Sequence, residues 1–347
     1  MLFPLPPVGR AREGGVGNFK QPMKNIGIIS VGYYVPEKVL SNTDLEKMVE
    51  TSDDWIMTRT GIRERRIAGK TERNSHLAIK AARQALDKAN IDPKDIDLII
   101  VGTISPDSNF PSVACLVQKE LGAVNAAAFD ISAACSGFLY SLITAKQFLL
   151  SGMYKNALVI ASEKITSLID WNDRSTCVLF GDGAGAAVIA PVDNGHGIIS
   201  DYLHASGESG NLMAVIAEDR EPLQQDTRMH ILPYVEMQGK ELFKIAVNSM
   251  AEAVEIACRK AGVKLEDIDV VVPHQANDRI ISAVAKKLEV PKEKFYINIQ
   301  RYGNMSAASI AVALCEAINE GVITKGKIVA LVAFGAGLTS AANVVKW

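Results

Sequence analysis

The chain has 347 residues, 37 Lys+Arg against 39 Asp+Glu, a net charge of −2 and a hydrophobic fraction of 48%. This length suggests two domains or one two-lobed unit whose core needs no disulfide or metal, and the composition is that of a folded chain. The balanced charge leaves no electrostatic footprint for nucleic acid, and no apolar run approaches the roughly 20 residues that span a bilayer.

Residues 1–22, MLFPLPPVGRAREGGVGNFKQP, have a short apolar part broken by prolines and read as a disordered tail or an overextended start rather than a targeting segment. Strand-like and helical runs then alternate: NIGIISVG, SHLAIKAARQALDKAN, IDLIIVGTI, and a helix after Phe110–Pro111. Such alternation predicts an α/β fold with buried strands. The chain also repeats itself. IDPKDIDLII at 91–100 matches VKLEDIDVVV at 263–272, and ALVIASE after Gly152 parallels IVALVAFG after Gly321. Between these anchors lie two segments without charge, Ile131 to Ala145 and Tyr302 to Cys315, which read as helices apolar on all sides and therefore central. The spacing from Gly152 to Gly321 carries Cys135 onto Asn304. Two halves related by a pseudo-twofold follow, 23–195 and 235–347. They are joined by a connecting segment, 196–234, which overlaps an irregular polar stretch from Gly207 to Gly239.

Five cysteines, at 115, 135, 177, 258 and 315, show no CxxC spacing, which fits a reducing compartment and a cytoplasmic location. Cys135 falls at a helix N-terminus, where partial positive charge is expected to lower its pKa, although most free cysteines are simply small buried hydrophobes. His274 follows the apolar run Val270-Val271-Val272-Pro273 at a strand's C-terminal end, the edge where open α/β sheets hold their sites. Asn304, in YGNMS, has helix capping as its commonest use. The three fall at corresponding edges of a duplicated pattern. Of two glycine-rich turns, Phe180-Gly-Asp-Gly-Ala-Gly and Phe334-Gly-Ala-Gly, the second offers backbone N–H groups as an oxyanion hole. Neither has the context of a dinucleotide fingerprint, and no phosphate loop or metal motif is present, so no cofactor is expected.

The motifs AACSGF, VPHQAN and YGNMSAAS, with NTDLEKMVETSDDWIMTRTGIRERRI and FGDGAGAAV, resemble those of thiolase-fold condensing enzymes. The resemblance is closer still to the β-ketoacyl-[acyl-carrier-protein] synthase III family, over essentially all of 23–347. It implies a duplicated five-layered αβαβα fold, a homodimer, and acyl-CoA plus malonyl-acyl carrier protein as substrates. It makes Cys135 the nucleophile, His274 and Asn304 the partners of the malonyl thioester, and the backbones of Cys135 and Ala336 the oxyanion hole. It assigns Trp55, Arg59, Arg174 and Asn277 to CoA. Gln275, Ala276, Asn277, Asp278, Arg279, Lys244, Lys286 and Lys287 go to the carrier protein, and Phe110, Phe180 and Met237 to the dimer interface and acyl pocket. Asp278, Ala336 and Ser340 depart from the family pattern; Met213, Val235 and Met237 do not decide the primer. Other Cys-His-Asn members of the fold stay open as alternatives: 3-hydroxy-3-methylglutaryl-CoA synthases, polyketide-type synthases and non-condensing acyltransferases. Asn304 argues against elongating synthases, the duplication against a papain-like protease, and retention of all three polar residues against a non-catalytic partner subunit.

Overall fold

Two mixed sheets with the same strand pattern face each other across a pair of helices. The computed structural model describes residues 25–215 and 234–347, so residues 1–22 and much of the connection lie outside the described residues. The first sheet contains β1 (Asn25–Tyr34), β2 (Leu98–Gly102), β3 (Ala127–Ile131), β4 (Ala157–Glu163) and β5 (Gly183–Val192), in the order β1-β5-β4-β2-β3. The second contains β6 (Gly197–Ala205), β7 (Val270–Pro273), β8 (Ile328–Gly335) and β9 (Thr339–Lys346), in the order β6-β9-β8-β7. The pairing senses agree. β5 is antiparallel to β1 and β4 as β9 is to β6 and β8, while β4 runs parallel to β2 as β8 does to β7. The place corresponding to β3 is taken by an isolated parallel bridge from Val271 to Phe295.

Strand β6 lies inside the segment read from the sequence as a connection. It occupies in the second sheet the place of β1 in the first, so the sheet pattern of the second half begins at Gly197 rather than at 235. Its polar, half-exposed end, Asp201 to Ala205, hides a strand that is buried only at its start.

Seven helices matter to the site: α1 (Asp53–Thr60), α2 (Asn74–Ala89), α3 (Val113–Leu121), α4 (Gly137–Leu150), α5 (Gly239–Ala261), α6 (Asp278–Leu288) and α7 (Ala307–Asn319). Helices α2 and α3 cover the outer face of the first sheet, and α5 and α6 that of the second, each with an apolar stripe turned inward. Helices α4 and α7 lie between the sheets and share one core with both. This is the five-layered αβαβα arrangement. The middle layer is thin because small residues face each other. A Cβ on Gly185 of β5 would fall 2.5 Å from the Ala311 Cβ of α7, and one on Gly137 would fall 3.1 Å from the Ala307 Cβ. The first charge on each central helix is buried and paired. Lys146 Nζ meets Asp201 Oδ2 at 2.7 Å. Glu316 accepts hydrogen bonds from the Tyr302 hydroxyl (2.6 Å), Asn298 Nδ2 (2.8 Å) and Arg301 Nη2 (2.8 Å). A buried charge persists only with such partners.

Candidate active site

Cys135 stands in the turn between β3 and α4, two residues before the helix begins. The preceding Ala134 has φ +46°, a left-handed conformation unusual for a residue with a side chain, which swings the chain sharply from strand to helix. The thiol is buried, and desolvation pushes its pKa up to about 12. The sequence-based expectation of a lowered pKa is therefore wrong: the turn is enclosed by apolar groups, and losing water outweighs the helix N-terminus. The ground state is a neutral thiol.

His274 follows β7, its N–H donating to Val332 O of β8 at 2.7 Å. It is buried, and desolvation pushes its imidazole down to about 3. Among the described residues Nδ1 has no partner. The ring is neutral at any ordinary pH and keeps one N–H to donate.

Asn304 precedes α7 and is held on both backbone sides: its N–H donates to Leu179 O (2.8 Å) and its carbonyl accepts from Gly181 N–H (3.1 Å). Its Oδ1 accepts from Ser306 N–H at 2.8 Å. With the amide oxygen engaged there, the NH2 group is left to face the cavity. The side chain braces its own turn rather than serving only as a helix cap.

Cys135, His274, Asn304 and Ala336 line one cavity of about 150 Å³, walled by Leu179, Met213, Met237, Leu242, Phe243, Ala246, Met250, Ile280 and Phe334. Met213 and Met237 face each other across a short antiparallel pairing, Met213–Ala214 with Glu236–Met237. Val235 lies buried beside them. The walls supplied by Leu242, Phe243, Ala246 and Met250 escaped notice in the sequence, although they recur at the three- and four-residue spacing of one face of α5. The turn after β8 clamps onto the cysteine loop. A Cβ on Gly335 would fall 2.7 Å from the Cys135 backbone nitrogen, while Thr339 Oγ1 donates to Ala133 O (3.1 Å) and Ser136 Oγ to Thr339 O (3.2 Å).

Outside the cavity, two guanidinium groups approach the indole of Trp55 on α1, Arg59 at 5.5 Å and Arg174 at 5.7 Å from its ring centroid. Asn277 both caps α6, accepting from Arg279 N–H at 2.8 Å, and ties it to α1, donating to Arg59 O at 3.0 Å; it also reaches the cavity rim. Asp278 pairs with Lys292 at 3.0 Å, so the acid that departs from the family pattern is offset on the spot. Arg279, above the Phe243 ring at 5.9 Å, together with exposed Lys244, Lys286 and Lys287, gives the α5–α6 face a basic character. Ala276 is half-buried on the cavity wall.

Two assignments are corrected. Gln275 is fully buried, its amide donating to Pro273 O and Tyr296 O and accepting from Asn298 N–H, so it holds the strand end together and cannot meet a carrier protein. Phe180 is likewise a core residue, packed with Leu45, Ile56 and Ile299, and its backbone bridges to Asn304; it lines neither a surface nor the cavity. Phe110, in contrast, is 86% exposed. Ser340 is buried in β9.

A doubled α/β sheet that brings a buried cysteine, a neutral histidine and an asparagine donor to the seam between its halves defines a thiolase-fold condensing enzyme, an acyltransferase. Solved structures of this kind superpose closely. One is the 3-oxoacyl-[acyl-carrier-protein] synthase III of Aquifex aeolicus, with TM-score 0.87, 49% identity, and coverage of 93% of this chain and 100% of that one. Another is a priming β-ketosynthase from the R1128 polyketide pathway, with TM-score 0.87, 34% identity, and coverage of 95% and 98%. Family models for 3-oxoacyl-[acyl-carrier-protein] synthase III match residues 129–207, and for its C-terminal part residues 258–347. The β-ketoacyl-[acyl-carrier-protein] synthase III of Caldanaerobacter subterraneus is 53% identical, covering 92% of this chain and 97% of its own length; that of Clostridioides difficile is 52% identical over 92% and 98%. The chain belongs to the β-ketoacyl-[acyl-carrier-protein] synthase III family. Among the described residues, no helix is long and apolar enough to cross a membrane.

Proposed function

We propose that the protein condenses an acyl-CoA primer with malonyl-acyl carrier protein, giving 3-oxoacyl-acyl carrier protein, CO2 and CoA, and so initiates fatty acid synthesis in the cytoplasm. The observation that carries this reading is the convergence of Cys135, neutral His274 and the Asn304 amide on one apolar cavity. In the first half-reaction the Cys135 sulfur attacks the thioester carbonyl: a new C–S bond forms, the bond to CoA breaks, and the thiol proton leaves with the CoA sulfur. The backbone N–H groups of Cys135 and Ala336 would hold the tetrahedral oxyanion.

In the second half-reaction His274 and the Asn304 NH2 donate to the malonyl thioester oxygen. The electron pair released as CO2 departs is then held as an enolate, which attacks the acyl-Cys135 carbonyl; the new C–C bond forms, the C–S bond breaks, and the released thiolate takes a proton from solvent to restore the thiol. Neutral donors suit this step: they stabilise charge that appears only in the transition state, and the apolar walls strengthen the hydrogen bonds. Outside, the Trp55 face and its two guanidiniums offer a purine a stacking platform, and the basic α5–α6 face suits an acidic carrier protein. Strand β3, at the edge of its sheet, and exposed Phe110 are the surfaces we assign to a homodimer.

Intact-protein mass tests the reading. Mixed separately with acetyl-, isobutyryl- and octanoyl-CoA, the protein should gain one acyl group, and the gain should be lost in Cys135→Ala. Malonyl-acyl carrier protein should then discharge it as β-ketoacyl product. An adduct that malonyl-carrier protein leaves in place would refute condensation, and no adduct from any primer would refute covalent catalysis.

A further inference from the structure

Behind the catalytic cysteine, away from the cavity, the last residue of β4 is a glutamate with no exposed surface. Three donors converge on a single oxygen of Glu163: Ser105 Oγ (2.5 Å), Thr103 Oγ1 (3.1 Å) and the Ile104 N–H (3.2 Å) all reach Oε2. Oε1 is buried and, among the described residues, has no hydrogen-bond partner. Nor has the Ser306 hydroxyl, which is buried beside it. That hydroxyl lies close to both Glu163 and the Cys135 sulfur, and its proximity works against the upward shift that burial imposes on each.

Ser306 is also held in an unusual conformation, φ +48° and ψ −129°, which glycine adopts far more readily than a residue with a side chain. The hydroxyl is not there to cap α7, since Ser306 makes no side-chain capping bond and its backbone is anchored independently by Asn304 Oδ1. A strained backbone, an idle hydroxyl and an idle carboxyl oxygen thus meet at the back of the nucleophile.

We propose that Glu163 and Ser306 form a positioning relay for Cys135, in which Glu163 aims the Ser306 hydroxyl and that hydroxyl donates to the cysteine sulfur as negative charge develops there. The inference rests on Cys135 being the nucleophile. No proton changes owner within the relay: the thiol hydrogen leaves with the CoA sulfur, and Ser306 keeps its own while lending it to the sulfur. Burial raises the Glu163 carboxyl to about 7, so near neutrality a large fraction carries a proton that Oε1 can direct at the Ser306 oxygen. In that form every member has a partner: Oε2 accepts three bonds, Oε1–H donates one, Ser306 passes one on. Hydrogen bonds to an ionised acceptor are the strong ones in an enclosed site, and the thiol's own high pKa makes the help necessary.

The test follows alkylation of Cys135 by iodoacetamide, located by peptide mass so that exposed Cys115 does not interfere, together with the rate of acyl loading. Ser306→Ala should slow both by about tenfold or more, the loss expected for one hydrogen bond to a charged acceptor. Glu163→Leu should do the same, and Glu163→Gln should restore most of the rate, because its amide reproduces the protonated carboxyl. Ser306→Ala leaves the Asn304 anchor intact and is the variant to trust if Glu163→Leu does not fold. Wild-type rates in Ser306→Ala would overturn the proposal, and so would Glu163→Gln reacting as slowly as Glu163→Leu. Failure of the wild type to load any primer would refute the proposed reaction instead, while the alkylation comparison would still stand.

Discussion

Replacing His274 by glutamine gives a direct measure of how firmly the site keeps its imidazole uncharged. In the folded protein burial holds the ring down to about 3, against about 6.5 in an unfolded chain. The unfolded state therefore binds more protons between those two values, and stability contributed by the neutral ring is present above pH 6.5 and lost as pH falls below it. Each pH unit in that window is worth about 1.4 kcal/mol, so the wild type should lose about 1.4 kcal/mol from this one group between pH 7.5 and 5.5, and glutamine should lose none. The stability gap between wild type and His274→Gln, from urea unfolding followed by tryptophan fluorescence, should thus shift by that amount in favour of the variant at pH 5.5. Glu163 acts oppositely: its raised carboxyl makes stability fall as pH rises from about 4.5 to about 7, and subtracting the two curves removes it. Curves that stay parallel from pH 7.5 to 5.5 would mean that His274 titrates as it does in water. The argument for a neutral donor, and with it the account of enolate stabilisation, would then fail.

Two further substitutions probe the same seam. Asn304→Asp keeps the acceptor that Ser306 N–H needs but turns an oxygen toward the cavity in place of the NH2 group. Release of CO2 and condensation should fall by roughly 10²- to 10³-fold, and far more than acyl loading of Cys135; equal losses in the two half-reactions would count against the assigned role. Gly335→Ala places a methyl 2.7 Å from the Cys135 nitrogen. It should cost about 1–3 kcal/mol in thermal unfolding and slow acyl loading by up to about 10²-fold, because the cysteine turn must shift. An unchanged loading rate would show that the two turns are less tightly joined than their geometry indicates.

Much of this was legible in the residues themselves. Two uncharged helices, two matching approaches to a strand, and a cysteine and an asparagine at corresponding helix starts marked the doubled fold and its seam, because a central layer excludes charge and leaves a plain trace in composition. What escaped depends on packing that no local pattern records. β6 reads as a polar connection because only its first residues are buried. Gln275, adjacent to His274 in the chain, looked like a contact residue until its amide was found spent on three backbone groups. The sign of the Cys135 shift was misjudged because a helix terminus is visible in sequence and the loss of water is not. Glu163 had a faint signal, an acid ending the apolar run ALVIASE, but only the fold places it against Ser306.

The correspondence between the cysteine turn and the asparagine turn has a consequence for how such a site can arise. In a symmetric pair of identical half-length chains, any residue placed at this turn would appear on both sides, so a nucleophile would face another nucleophile and a donor another donor. Joining the halves in one chain removes that restriction. One copy of the turn is free to carry the atom that attacks, and the other the groups that steady the charge it creates. The asymmetry of the chemistry is thus a property of the covalent link between two nearly equivalent architectures, and a substitution at one turn need have no echo at the other.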